Sequence, residues 1–352
     1  MDNEPITVAS LVRPYHIDNH NFGRAYKNHL SGFSEWDEAE HAAEWLLRPE
    51  NIGTRLCIDE TSLSQGELYT FVSNPDGNAR KGTLVAMVKG TKKEDVRQVL
   101  HKVPFCQRLK VKEITMDLSD TMSAIASECF PCAQQTIDRF HVQRLAFDAM
   151  QEVRMQAKRE AAKELAQARK DFHKRQEINK KKRKDKDTKD SRGRKPDRAN
   201  KAFRPFRYYN GDTKVELLTR VRYLLMVSPE KWTKSQHERW NLLKGHFPKI
   251  TEAYNLAHSL RTCYNMDVSD MGKVIEAMCN WYDKAIASQF ENFKSVAETI
   301  NDRMLDILCY FKSHSTNAFA ESFNAVVKRF RSELRGVADL SFFVFRLSKI
   351  FG

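Results

Sequence analysis

The chain has 352 residues, of which 41% are hydrophobic and 30% charged, and its formal net charge is +13. This length can bury a core in one large domain or in two smaller ones. No stretch approaches the roughly 20 apolar residues of a membrane span, and the N-terminus lacks the features of a signal peptide. We therefore expect a cytoplasmic protein without a membrane partner.

The positive charge is concentrated in one segment. Residues 151–210 contain 22 Lys and Arg against 9 Asp and Glu, so the rest of the chain is neutral by count. A local excess of this kind suits a polyanion such as nucleic acid, but a solvated charged helix and linker would have the same composition. Charge alone leaves both interpretations open.

The cysteines indicate neither disulfides nor a zinc site. Their number is seven, and an odd count without an export signal argues against a disulfide framework. Cys129 and Cys132 are close in sequence, but nothing nearby completes the four ligands of structural zinc. We interpret both as structural thiols.

Residues 1–50 form a short N-terminal segment, in which we expect helices around Phe22–His29 and Trp36–Leu47 and find no DNA-binding motif. Residues 51–138 then alternate between strand and helix patterns. The expected strands are Arg55–Asp59, Leu68–Ser73, Gly82–Lys89, Val111–Asp117 and Gln134–Ile137, with helices at Lys93–His101 and Thr121–Cys129. Short turns make the first three strands an antiparallel meander, and the helical connections make the later strands parallel.

Residues 139–310 have an almost wholly helical pattern, beginning with a long helix from Phe140 to about Ile178. A charged, low-complexity stretch near 180–202 lacks apolar residues, so we expect a disordered loop there. Further helices are expected at Thr213–Met226, Lys234–His246, Ile250–Tyr264, Met271–Ala287 and Phe290–Cys309. Residues 311–352 contain a final amphipathic helix over 316–330, with Thr316 as its N-cap.

Acidic residues follow two strands that should be neighbours. Asp59 ends the first strand and Asp117 ends the fourth, and carboxylates are the ligands that Mg²⁺ and Mn²⁺ prefer. Glu321 is the candidate for a third acid, because it shares one helix face with Asn317, Asn324 and Lys328. Alone, such an aspartate is usually a turn residue and such a glutamate usually faces solvent, so the prediction depends on their combination.

Four motifs together carry a resemblance to a known family. They are CIDETS around Asp59, ITMDLSD around Asp117, TIDRFHVQRL from Asp138 onward, and STNAFAESFNAVVKRFR around Glu321. Across roughly residues 50–352 the chain resembles the DDE-type transposases of bacterial insertion sequences, in the group with a long helical insertion between the second Asp and the Glu.

The resemblance implies an α/β fold with a ribonuclease-H-like mixed sheet core interrupted by a large all-α insertion. The first part of the core would be 51–138, the insertion 139–310, and the completing helix would lie in 311–352. Asp59, Asp117 and Glu321 would hold Mg²⁺ or Mn²⁺, two ions in all, for DNA strand cleavage and 3′-hydroxyl strand transfer. Supporting roles would fall to Asp138, His141, Asn317, Asn324 and Lys328, although Asp138 could instead cap the following helix and His141 could be a half-buried structural residue.

The expected partners are double-stranded DNA at the element ends, target DNA and further copies of the chain in a homo-oligomer. Related enzymes carry an N-terminal zinc finger or helix-turn-helix that recognises the element ends, whereas only about 50 residues precede the first strand here. The resemblance therefore implies that the end-recognition domain is either a separate protein or lost, and in a bacterial host the protein would be nucleoid-associated. The DNA-binding candidates are Lys181, Lys182, Arg183, Lys184, Arg204 and Arg207, with Phe203, Phe206, Tyr208 and Tyr209 interleaved.

Three tryptophans, Trp232, Trp240 and Trp281, are either base-stacking or core residues. Two other functions remain open: a metal-dependent nuclease without strand transfer, and a non-catalytic DNA-binding protein derived from a transposase.

Overall fold

The computed structural model describes residues 1–64, 66–187, 202–266, 270–334, 337 and 339–352, with side chains for all of these except 64 and 182–187. The strands are β1 (Trp45–Leu47), β2 (Arg55–Ser64), β3 (Glu67–Ser73), β4 (Leu84–Lys89), β5 (Glu113–Met116) and β6 (Gln134–Ile137). The helices are α1 (Val8–Val12), α2 (Asn19–Ala25), α3 (Lys93–Leu100), α4 (Phe105–Arg108), α5 (Asp120–Cys129), α6 (Arg139–Asp187), α7 (Lys214–Arg220), α8 (Lys234–His246), α9 (Pro248–Cys263), α10 (Met271–Ile286), α11 (Glu291–Asp302), α12 (Met304–Ser313), α13 (Ala318–Glu333) and α14 (Leu340–Phe351).

The strands of the described residues form one mixed sheet in the order β1-β4-β3-β2-β5-β6. Strands β2, β3 and β4 make the antiparallel meander that the sequence predicts. Strands β5 and β6 run parallel to β2, as their helical connections require. The predicted order and direction of these five strands are confirmed.

The sheet has a hydrophobic core on each of its two faces, because alternating side chains of a strand point to opposite faces. Leu56 and Ile58 are buried in a cluster that includes residues of α3 and α5. On the other face, Phe71 of β3 is buried with Phe323 of α13 and with residues of α14. Asp59 pairs with Phe71 across the ladder and therefore lies on the face that α13 covers.

The predicted helix at Trp36–Leu47 is wrong. Residues 37–44 form turns, and Trp45–Leu47 becomes the edge strand β1, which pairs antiparallel with β4. The physical reason is burial on both faces: Leu46 joins the core beneath α13 and α14, while Leu47 joins the core beneath α3 and α5. Only an extended segment sends adjacent side chains to opposite faces of the sheet.

Helix α14 is absent from the sequence prediction, and it joins the two ends of the described chain. Arg346 of α14 is 2% exposed and donates to backbone carbonyls of the N-terminal segment. Its acceptors are the oxygens of Met1 at 2.8 Å, Glu4 at 3.4 Å and Ile6 at 3.1 Å. Residues 1–6 are thereby tied to this helix.

Four helix predictions differ from the structure. The helix expected over Thr213–Met226 ends at Arg220 as α7, and a 3-10 helix follows at Leu224–Met226. Helix α6 continues to Asp187, so the loop expected from 180 is wrong for 180–187, where good helix formers extend the helix; 188–201 lie outside the described residues. The single helix expected over Phe290–Cys309 is divided into α11 and α12 at Arg303, which has a non-helical φ of −112°. Thr316 is not the N-cap of α13, because Asn317 occupies that position.

The chain divides into two compact units, one of Met1–Val142 with Asp302–Gly352 and one of Gln143–Asn301. The first unit holds the sheet and the helices on its two faces. The described part of the second unit is helical apart from its turns and connections. None of the helices in the described ranges is both long and apolar enough to cross a membrane.

Candidate active site

Three neighbouring parallel strands place an aspartate at the same edge of the sheet. The pairing of β2 with β5 and of β5 with β6 ends one residue before Asp59, Asp117 and Asp138. Asp59 is not at the end of its own strand, as the sequence analysis expected, since β2 continues to Ser64 along β3. Its partner β5 is shorter, so Asp59 still lies where the parallel ladder stops.

Asp59 is buried, with 8% of its surface exposed, and both of its carboxylate oxygens accept hydrogen bonds. The Glu60 backbone N–H donates to Oδ1 at 2.9 Å, and Asn324 Nδ2 donates to Oδ2 at 2.6 Å. Burial, followed by the nearby charge of Asp117, raises the pKa of Asp59 to about 7. The buried site therefore disfavours a second negative charge unless a cation compensates it.

Asp117 is bound by two side chains from helices. Asn317 Nδ2 donates to its Oδ1 at 2.9 Å, and His141 Nε2 lies 3.0 Å from the same oxygen. This hydrogen bond raises the pKa of His141. The carboxylate of Asp117 thus contacts side chains from the start of α6 and from the start of α13.

Helix α13 supplies Asn317, Glu321 and Asn324, which share one face at a spacing of one turn. The two asparagines are 0% and 4% exposed, whereas the side chain of Glu321 is 53% exposed. Each asparagine donates its amide nitrogen to an aspartate, and its Oδ1 is buried without a hydrogen-bond partner. Unsatisfied buried oxygens are unusual in proteins, and these two could accept a hydrogen bond or bind a cation.

Asp138, His141 and Glu321 present ligand atoms that lie within 4.8 Å of one another, the one such group among the described residues. Asp59, Asp117 and Glu321 are not gathered as tightly. His141 lies between Asp117 and Glu321, with its Nε2 3.9 Å from Glu321 Oε1. The carboxylate oxygens of Asp59 accept instead from the Glu60 backbone and from Asn324. Asp138 is 3% exposed, and its Oδ1 also accepts the Phe140 backbone N–H at 3.1 Å, which caps α6.

A family model described as a transposase, of the ISL3 type of DDE transposases, matches residues 56–347. The chain belongs to this transposase family. The matched range includes all of the strand and helix residues that form the acidic site. No curated protein and no solved structure matched this transposase.

Lys328, Cys129 and Cys132 are not among the residues that contact the acids of the site in the described part of the transposase. Lys328 of α13 is exposed, and no hydrogen bond or ion pair of the described residues joins it to the acids. Cys129 is buried and Cys132 is exposed, and both are free thiols. Conversely, the Glu60 backbone N–H donates a hydrogen bond to Asp59 that the sequence did not predict. Every residue except proline has such a donor, so residue type does not reveal it.

The DNA-binding candidates belong to the second unit of the transposase. Lys181 and Arg204 are exposed, and the helix includes 182–184, whose side chains lie outside the described set. Arg207 pairs with Glu216 at 3.1 Å and donates to the Gly211 carbonyl at 2.6 Å. Part of the charge of Arg207 is therefore already compensated within the protein.

The aromatic candidates differ in exposure. Trp232, Trp240 and Trp281 are 8%, 9% and 2% exposed, so they are core residues of the second unit. Phe203 and Tyr208 are half-buried and contact the rings of Phe172 and His246. Phe206 and Tyr209 are 75% and 73% exposed, so these two are the most accessible for stacking on bases.

Proposed function

We propose that this transposase cleaves DNA at element ends and joins the freed 3′-hydroxyl to target DNA, using Asp59, Asp117 and Glu321. One observation carries the proposal. Acids that are distant in sequence converge at the carboxyl edge of β2 and β5, where two buried asparagines of α13 bind the two aspartates. A helix fixed in this way keeps Glu321 beside them.

The proposed fold of this unit is ribonuclease-H-like. An antiparallel meander followed by two parallel strands, with helices on both faces, supports that assignment. Strand β1 extends the sheet at the edge opposite β6, away from the acids. We propose that residues 139–310 are an insertion into this core; the compact unit Gln143–Asn301 lies within that range.

The residues at this edge fit hard divalent cations such as Mg²⁺ or Mn²⁺. The donor set is rich in oxygen, and the pKa of Asp59 is raised first by burial and then by the neighbouring charge of Asp117, so a bound cation would stabilise the ionised form. The unpartnered Oδ1 atoms of Asn317 and Asn324 add neutral oxygens to the same region. Asp59, Asp117 and Glu321 would hold the ions, which supply Lewis acidity and an activated oxygen nucleophile for displacement at phosphorus.

The surrounding residues position the acids. Asn324 fixes one oxygen of Asp59, while Asn317 and His141 fix one oxygen of Asp117. Such hydrogen bonds limit carboxylate rotation and preserve a site against the repulsion of neighbouring charges. Asp138 supports the arrangement by capping the helix that carries His141. Lys328 is proposed as a phosphate contact because it is exposed on the same helix.

The decisive experiment is cleavage of DNA carrying the candidate element ends, with Mg²⁺ or Mn²⁺. Wild type would be compared with Asp59→Ala, Asp117→Ala and Glu321→Ala. Asp120→Asn is a matched control, because Asp120 is near Asp117 in sequence but is 99% exposed and paired with Arg303 at 2.5 Å. We expect each of the first three substitutions to abolish cleavage and the control to retain it.

A pre-nicked end and a target duplex separate the remaining alternatives. Products joined to target DNA support a transposase, and cleavage without joining supports a nuclease. Binding without cleavage, also after addition of a proposed end-recognition protein, would identify a non-catalytic DNA-binding protein. Crosslinking with paired ends would test the proposed homo-oligomer.

A further inference from the structure

Helix α6 carries a row of four lysines within the second unit: Lys163, Lys170, Lys174 and Lys181. Their spacing places all four within about 20° of one line along the helix, over a length of roughly 27 Å. Each side chain is exposed, and no ion pair in the described ranges uses any of the four ammonium groups. This lysine row is therefore a line of uncompensated positive charge.

The opposite face of the same helix provides its packing contacts. Ala161, Leu165 and Phe172 are buried or half-buried, and Phe172 contacts the ring of Phe203 at a centroid distance of 5.6 Å. These positions lie about half a turn away from the lysine row. The fold of the second unit thus uses one side of α6 and leaves the row facing outward.

Acidic residues do little to cancel the row. Glu164 pairs with Lys214 at 2.7 Å, and Asp171 accepts a hydrogen bond from Gln167 at 2.9 Å. Glu177 is the one acid beside the lysines between positions 163 and 181, so the face retains a net positive charge. A row of this kind complements a ligand that carries a line of negative charges.

We propose that the lysine row binds the phosphate backbone of duplex DNA, independently of base sequence. Duplex DNA presents about one negative charge per 1.7 Å of its axis, so a 27 Å row faces more phosphates than it has lysines. Lysine contacts phosphate as a point charge and requires no fixed geometry, which suits sequence-independent binding. The proposal rests on the proposed function and specifies which surface of the second unit holds the DNA.

The test compares two charge-matched variants of the full chain in binding a mixed-sequence duplex at several salt concentrations, without divalent metal. The row variant carries Lys163→Gln, Lys170→Gln and Lys174→Gln. The control variant carries Lys158→Gln, Arg175→Gln and Lys180→Gln, whose side chains leave other sides of α6. Glutamine preserves helix propensity, and circular dichroism verifies that both variants remain folded.

We expect the row variant to lower the slope of log K against log salt by about 2 to 3 units, with a much smaller change in the control. If both variants lose the same amount of salt slope, or if the row variant loses none, the lysine row does not bind the duplex. The proposed function would still stand in that case if the wild type cleaves DNA. Absence of DNA binding and cleavage in wild type would overturn both.

Discussion

Replacement of Asp59 by asparagine is predicted to stabilise the metal-free protein while abolishing cleavage. The carboxylate is buried beside Asp117, and its pKa is raised from 3.8 to about 7. A raised pKa in the folded state means that the neutral form is favoured there, so stability present below pH 4 is lost as the pH rises through 7. Asparagine is uncharged at every pH and removes this loss.

The magnitude follows from the size of the shift. Each pKa unit corresponds to about 1.4 kcal/mol, so a shift of this size amounts to roughly 4 kcal/mol above pH 7. Asparagine has nearly the same shape as aspartate, and rotation of the Asn324 amide would let its unpartnered Oδ1 accept from the new amide. The gain from Asp59→Asn should therefore be small at pH 4 and largest at pH 8.

Chemical unfolding in a chelator, at pH 5 and at pH 8, measures this gain. Asp95→Asn is the control, because Asp95 is exposed and should change stability by less than about 0.5 kcal/mol at either pH. A destabilisation by Asp59→Asn of equal size at both values would refute the reasoning, since it would show that the buried carboxylate is not strained by its charge.

Three further predictions concern other buried groups. Asn324→Ala removes the donor to Asp59 Oδ2 and should reduce cleavage or metal affinity roughly 10- to 100-fold, without changing duplex affinity measured in a chelator. Arg346→Met leaves backbone carbonyls of residues 1–6 without their donor, so urea unfolding should show a loss of roughly 2 kcal/mol or more. Alkylation at pH 8, followed by mass spectrometry, should label exposed Cys132 well before Cys129, whose pKa burial raises to about 11. The first prediction is contradicted if Asn324→Ala leaves the metal dependence unchanged, and the second if Arg346→Met leaves unfolding unchanged. The third is contradicted if both thiols are labelled at a similar rate.

The sheet was predictable because its signals are local. Short turns between apolar runs determine the meander, and helices between later strands require parallel pairing. Strand β1 was not predictable in the same way, since Trp45–Leu47 is extended only because Leu46 and Leu47 enter different cores formed by distant residues. Helix α14 was not predicted, because the nearly continuous apolar run in its first half cannot be distinguished from a buried strand by periodicity alone.

The candidate site was predictable only in part. Residue types and strand positions indicated Asp59 and Asp117, and helical spacing put Asn317 and Asn324 beside Glu321. The pairing of each asparagine with a particular aspartate depends on how α13 crosses the sheet, and no sequence pattern specifies this. The place of His141 between Asp117 and Glu321 depends likewise on tertiary packing.

The unit that holds the acids is discontinuous in sequence, and this affects how the protein is made. Met1–Val142 leave the ribosome first, but the helix of Glu321 follows only after Gln143–Asn301 have been translated. At roughly 5–20 residues per second, this delay is on the order of ten seconds or more. During that interval the nascent chain exposes the sheet face that α13 and α14 will cover, and it lacks one of its three proposed metal ligands. A chain interrupted within the second unit would therefore lack a complete set of the proposed metal ligands, even with its first strands folded.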